Sequence, residues 1–348
     1  MRIDAVLKAM EKAGIKPAVL GEKEGLSLLN GTYAITALAA FNAYYAERLF
    51  RNAEIASAST LEALKGNLES FDPKIHALKN HSGQIQVAAH VRMITSGTKL
   101  MNYKNKDRVQ DAYSLRCIPQ ILGPVQEGME GIIKKVEDEM NSVSDNPLVI
   151  DDKIISGGNF HGQYIAASMD YLAILVNTMA ELSERHKERL LNSSMSNLPA
   201  FLAKNPGLNS GLMIAQYASA ALALENKGLL YPASALSASV SAGQEDIVSN
   251  GMNAAKKARD IIRNTEHIVG IELMCAMQAL DFYKPEDAGI GTYAAYKKFR
   301  KKIKPLEEDR ALSEDIEKAY KLVHSGKITG AVEKKAGWLA WAIYLGRI

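Results

Sequence analysis

Between Arg108 and Gln120 the sequence reads RVQDAYSLRCIPQ, and within seven of those positions fall an amide, a carboxylate, a phenol and a guanidinium: Gln110, Asp111, Tyr113 and Arg116. Arg116 follows Tyr113 by three residues, so a single helical turn leans both side chains over one patch. A phenol beside a fixed-charge fork can hold a small carboxylate. The same residues also allow a structural arrangement, with Arg116 paired to Asp111 and Tyr113 packed in a core. From this stretch alone, that is the commoner use.

Further polar islands fall in breaks between long helical patterns: Asn30-Gly31-Thr32, HSGQ at 81–84, SDNPLV with GGNFHG at 144–162, NSSMSNLPAFL at 192–202 and GQED at 243–246. Such breaks are where a helical enzyme can set side chains and backbone amides around a ligand. Asn30-Gly31-Thr32 reads either as a helix start capped by Thr32, the commoner explanation, or as a turn aiming an amide at a ligand. His76, His81 and His90 are not spaced as a metal triad on one helix face, and satisfied structural histidines are the default. Cys117 and Cys275 are far apart and lack metal-ligand spacing, so neither a disulfide framework nor a metal is expected. No Walker loop, dinucleotide fingerprint, HExxH pair or Gly-x-Ser-x-Gly elbow occurs.

The elements that must position these islands are helical. With 348 residues, 47% of them hydrophobic, the chain can bury a large core. Helical spacing predicts segments over 3–13, 34–58, 59–68, 85–96, 121–140, 163–191, 210–230, 245–280 and 306–326, punctuated by Gly14, Asp72-Pro73 and Asp145-Asn146-Pro147. Two short β-branched runs predict a small hairpin near 148–156. The class is therefore mostly α, a long-helix bundle. The whole of 1–348 reads as one helical domain, with a central bundle over about 16–282 and a helical tail over about 283–348.

Forty-two basic and 39 acidic residues are interspersed, for a net charge of +3, which announces no nucleic-acid partner. KKFRKKIKP, near 297–305, could touch nucleic acid, but a solvated helix face is the commoner meaning. Met1 leads directly into an amphipathic stretch without a signal peptide, and the longest apolar window, 211–224, is too short to span a bilayer. A reduced, cytoplasmic setting without membrane contact is expected. The apolar C-terminal GWLAWAIYLGRI needs cover from the core or from a second chain.

LLNGT, HSGQ, VQDAYSLRCIPQ, SDNPL followed by SGGNFHG, LPAFL with GLNSG, and QED resemble, in order, the motifs of the histidine and phenylalanine ammonia-lyases. The likeness runs from about Lys16 to Phe282, with an echo in EDRALSEDIEKA. It implies the fumarase/aspartase-like lyase bundle and a histidine ammonia-lyase type of carbon–nitrogen lyase. In that family an Ala-Ser-Gly tripeptide cyclises into a methylidene-imidazolone electrophile. Carried over by motif, Arg116 grips the substrate carboxylate, Tyr113 and Asn30 line the electrophile and the amine, and Phe160 packs against the ring. Gln110 orients its neighbours, and His81 lies on the substrate side. Glu245 matches the glutamate that binds imidazole in the histidine branch; its structural alternative is a carboxylate at a helix N-terminus.

Gly243 stands where histidine lyases have Asn, Ile247 where they have His, and Ser82 where Pro is usual. The sequence contains no Ala-Ser-Gly and starts just after the point where the family's electrophile segment ends. The resemblance therefore implies a C-terminal subunit of a split histidine ammonia-lyase. A separate N-terminal chain would supply the electrophile and the catalytic tyrosine, and this chain alone would be inactive. The alternative is a catalytically silent homologue acting as a binding or scaffold subunit. A tetramer-like homo-oligomer is expected in either case.

Overall fold

The computed structural model describes residues 3–104 and 109–339. The chain opens with α1 (Ile3–Lys12), α2 (Glu24–Asn30), α3 (Tyr33–Ala63), α4 (Pro73–Lys79) and α5 (Ser82–Ile94). A single-turn α6 (Tyr113–Arg116) leads into α7 (Ile118–Met140), a hairpin of β1 (Leu148–Ile150) and β2 (Lys153–Ile155), and α8 (Gln163–Leu191). Then come α9 (Ser193–Ser196), α10 (Met213–Leu229), α11 (Gly251–Leu280), α12 (Ile290–Arg300), α13 (Ser313–His324) and α14 (Lys327–Ala336).

Local chemistry sets most of these boundaries. Asp72 caps α4 by accepting the Lys74 N–H at 2.9 Å, with Pro73 in the first turn, where no amide proton is needed. The hairpin pairs Leu148 with Ile155 and Ile150 with Lys153 across Asp151 and Asp152, both at positive φ, as a two-residue turn requires. Three expected boundaries move. No glycine, proline or cap separates Ala58 from Ala63, so the two helices expected over 34–68 are one, α3. α11 starts at Gly251 rather than Glu245, because Val240 and Glu245 exchange backbone hydrogen bonds and fold that segment into a loop. α13 starts at Ser313 rather than Leu306, whose N–H is held by Gln278 Oε1 at 2.9 Å.

Five long helices, α3, α7, α8, α10 and α11, form the bundle. Asn42 Nδ2 donates to Ala255 O at 2.8 Å near the start of α3 and α11, and Thr60 Oγ1 donates to Glu272 Oε1 at 2.9 Å near their ends, so the two run parallel. α8 shares that direction, since His186 Nδ1 lies 2.7 Å from Glu272 Oε1. α7 and α10 run the opposite way. Residues 52–64 of α3 and 268–280 of α11 are buried without interruption, so these segments are enclosed on every side.

Polar groups enclosed this way have to be paired. Lys187, fully buried, donates to Ser183 Oγ at 3.0 Å and Ile268 O at 3.2 Å and lies 2.9 Å from Glu184 Oε1. Burial pushes the Glu272 carboxyl up, but His186 and Lys187 beside it outweigh burial and hold it below its ordinary value. α5 crosses α7 where Gly83 meets Gly123: a Cβ on Gly83 would lie 2.4 Å from Gly123 O. α12 and α14 pack on each other and on α3, while α13 lies along α11.

α8, rather than 211–224, is long and apolar enough to cross a membrane by length and composition, but 72% of its apolar window is buried inside the bundle, as in a core helix. At the C-terminal end Trp338 is exposed and Leu339 buried; Trp341 and Tyr344 lie outside the described residues.

Candidate functional site

The polar islands gather at the two ends of the bundle. At the arginine end, α6 sets the Arg116 Cζ 4.9 Å from the Tyr113 ring centroid. The structural arrangement open to this stretch is not adopted. Tyr113 is 72% exposed, the Asp111 carboxylate accepts the Asn67 N–H at 2.6 Å, and Arg116 makes no ion pair among the described residues. Arg116 Nε and, one turn later, Gln120 Oε1 are buried without hydrogen-bond partners. Such orphaned polar atoms are costly unless something else satisfies them.

His186 holds this turn in place, its Nε2 donating to Ser114 O at 2.7 Å while Nδ1 faces Glu272. Gln110 is exposed beside buried Asp111. His81, exposed and with no side-chain hydrogen bond among the described residues, precedes α5, whose first turn docks on α7 through Ser82 Oγ and the Gly83 N–H donating to Glu127 Oε1 at 3.0 and 2.8 Å. The other two histidines of the sequence group are satisfied structural ones. His76 meets Ser70 O at 3.0 Å and Gln84 Nε2 at 2.9 Å, and His90 lies 2.8 Å from Glu54 Oε1.

At the amide end, Asn30 closes α2 with its side chain exposed. Thr32 does not cap α3 with its hydroxyl. Its Oγ1 donates to Glu139 Oε1 at 2.5 Å, and its N–H donates to Ser144 Oγ at 3.1 Å, tying the turn to the end of α7. Ser27 Oγ donates to Asp145 Oδ2 at 2.6 Å, and Lys23 pairs with the same oxygen. Lys23, Ser27 and the Asn146 N–H hold the Asp145 carboxyl down to about 2.

The segment after the hairpin joins them. Asn146 Oδ1 accepts the Gly157 N–H at 2.7 Å, Asn159 Nδ2 donates to Val143 O at 3.2 Å, and His161 Nε2 donates to Ile247 O at 3.3 Å. Phe160 stands between them, 43% exposed. Glu245 lies in the exposed loop before α11, six residues from its first residue, so its carboxylate is not at a helix N-terminus. Gly243, at φ 86°, and exposed Ile247 flank it.

The two ends do not meet within one chain. Arg116 precedes α7 and Ser144 follows it, and the 23 residues of that helix separate them by ~35 Å at 1.5 Å per residue. α8 gives the same distance, since Gly162 precedes it at the amide end and His186 lies near its last turn at the arginine end. Tyr113, Arg116 and Gln110 therefore share one end and Asn30, Phe160 and Glu245 the other, while His81 sits between them, where α5 docks beside Glu127 inside α7. The single cradle expected from the motifs is not formed by a lone copy, because long helices hold its halves apart.

Sequence reading passed over His186 and Glu272, which fix the Tyr113–Arg116 turn, and Gln120. ERHKER reads as a charged helix end, yet His186 continues the buried spacing of Met179, Leu182 and Leu190, a signal available at 3.6 residues per turn. Among the described residues no group of three or more His, Cys, Asp or Glu is placed to hold a metal ion.

Comparison with known proteins extends this geometry. A family model described as aromatic amino acid lyase matches residues 2–301. The histidine ammonia-lyase of Symbiobacterium thermophilum is 46% identical over 332 residues, covering 95% of this chain and 66% of that protein. The crystal structure of histidine ammonia-lyase from Trypanosoma cruzi superposes with a TM-score of 0.87 at 41% identity, covering 94% of this chain and 62% of that one. A tyrosine aminomutase from Streptomyces globisporus gives a TM-score of 0.89 at 33% identity, covering 94% and 67%. The chain spans about 65% of the length of the curated relatives it matches.

Proposed function

The chain belongs to the aromatic amino acid lyase family, and from that premise we propose that it is the substrate-holding, C-terminal subunit of a split histidine ammonia-lyase, which eliminates ammonia from L-histidine to give trans-urocanate. The observation that carries the reading is Arg116, a half-buried guanidinium with no ion pair among the described residues and an orphaned Nε, beside an exposed phenol. A guanidinium held this way is matched by a carboxylate accepting two parallel N–H bonds.

Two copies complete the site in this proposal. An antiparallel pairing along the long helices brings the amide end of one copy to the arginine end of the other, as a two-fold interface does. Exposed apolar side chains on helices that run between the ends support it: Tyr164, Tyr171 and Ile174 on α8, and Ile214, Tyr217 and Leu224 on α10, each 46–74% exposed. Arg116 binds the amino acid's carboxylate, Tyr113 and Asn30 face its amine, and the Glu245 carboxylate accepts from the imidazole. Gln110 and His81 border the carboxylate side.

The residues present fit a methylidene-imidazolone, since the side chain of Asn30 is exposed without a hydrogen bond among the described residues, and the ring of Phe160 is exposed on a neighbouring loop. Asn30, Tyr113 and Phe160 would line it. When bound, that group supplies the electrophile that makes the amine a competent leaving group. This sequence holds no Ala-Ser-Gly, so in this proposal a second polypeptide provides it together with the tyrosine base. Mixing the chain with an Ala-Ser-Gly-bearing N-terminal lyase segment should generate urocanate absorbance from L-histidine; no turnover with any such partner would refute the split enzyme.

Gly243 and Ile247, in place of the family's Asn and His beside Glu245, favour a second reading, a silent subunit that keeps the carboxylate pocket. Calorimetry showing histidine binding without turnover in the reconstituted mixture would select it.

A further inference from the structure

The basic run at 297–305 keeps Lys297, Lys301, Lys302 and Lys304 exposed, as a solvated face does, and also borders a concavity. α12 ends at Arg300, and Lys298, Lys301 and Lys302 at its close meet Lys318 and Lys321 of α13 and Lys327 at the start of α14. These six lysines, with buried Leu322, line a cavity of about 470 Å³ that has no carboxylate and no aromatic ring in its wall. A second cleft of about 540 Å³ shares Lys298, Lys301 and Lys327 and adds Lys297, Lys334 and Lys335, again without an acidic residue.

Charge on this face is uneven: the two lysine clefts carry no carboxylate, whereas the adjoining cleft that Lys302 and Lys318 also line carries five between Glu307 and Asp315. Setting aside those nine lysines leaves 33 basic against 39 acidic residues, a net of −6 for the rest of a chain whose total is +3. Lys318 and Lys321 reach carboxylates on their own helix, Glu314 and Asp315 for the first and Glu317 for the second. Lys298, Lys301, Lys302 and Lys327 have no ion pair among the described residues, whereas surface bases elsewhere pair within a turn, as Lys134 does with Asp138 and Arg185 with Glu188. Like charges three or four residues apart repel, and crowding them around a concavity raises the potential inside it. A counter-ion of high charge density relieves that repulsion at the four unpaired lysines together.

We propose that this cavity binds a compact polyphosphate anion carrying three or more phosphates. Lysine ammonium groups bind phosphate as point charges, and the volume suits a small molecule rather than a duplex. With no aromatic side chain in the wall there is no platform on which a base could stack, which favours the phosphates over a single-stranded nucleic acid.

Tripolyphosphate is the probe, tested on the full chain by calorimetry and by thermal shift, with orthophosphate as the reference anion. Tripolyphosphate should bind at least about tenfold more tightly than orthophosphate, weaken as salt rises, and raise Tm. The triple variant K298Q/K301Q/K327Q should lose at least about tenfold in affinity, while K79Q/K134Q/K153Q, neutralising exposed lysines elsewhere, should not. Should the first triple lose its circular dichroism signal, K301Q and K327Q are tested singly. The proposal fails if tripolyphosphate does not bind, if both triples weaken it equally, or if single-stranded RNA or phosphatidylserine vesicles displace it and depend on the same lysines. None of these readouts uses lyase turnover, so the outcome is separate from the fate of the proposed activity.

Discussion

Arg116 is the residue whose surroundings say most about the chemistry. Its guanidinium lies beside Tyr113 with no ion pair among the described residues, and Arg116→Lys keeps the charge while removing the fork. In a reconstituted enzyme that change should raise KM for histidine by about tenfold or more while leaving Tm nearly unchanged, measured by urocanate formation and calorimetry. His186 is a positioning residue that acts through Ser114 O. His186→Ala strips a partner from buried Glu272 and should destabilise the fold by about 3 kcal/mol in urea titration. The same variant should loosen the Tyr113–Arg116 turn, seen as faster amide exchange there.

Among the elements, α2 is docked through charge at its N-terminus. Asp145 is held low by Lys23, Ser27 and the Asn146 N–H, so its folded value lies below the unfolded one. The docking it provides is fully present above the ordinary carboxylate range and is lost as pH falls through that range toward about 2. Asp145→Asn should therefore remove amide protection across Glu24–Asn30 at neutral pH, and the unmodified chain should lose that protection only in acid, by hydrogen exchange corrected for intrinsic rates. The α5–α7 crossing depends on bare backbone. Gly83→Ala forces a Cβ to 2.4 Å from Gly123 O, and a drop in stability of about 1–3 kcal/mol should appear in thermal melts.

At the scale of the whole molecule, a bundle whose helices hold Arg116 and Asn30 ~35 Å apart cannot close one pocket around an amino acid unless copies meet end to end. Light scattering should find a multimer. Tyr217→Glu with Leu224→Glu, placed on the exposed face of α10, should release monomers with unchanged helical circular dichroism and no reconstituted turnover. A well-behaved monomer of the unmodified chain would contradict the shared site.

The sequence alone determined most of the long helices, the hairpin and the list of polar islands, though not α2, α4, α12 or α14, because helical periodicity, turn residues and β-branched runs act over a few neighbours. It therefore placed α8 correctly and found the Tyr113–Arg116 turn. Where local signals were weak it erred, splitting α3 at Ala58 and extending α11 back to Glu245. Tertiary structure decided which islands share an end. It also decided that Asp111 serves Asn67 rather than Arg116, that His186 is buried, and that lysines from three helices converge on one cavity. Those outcomes depend on the lengths and directions of rigid helices far apart in the chain, and no window of local sequence carries them.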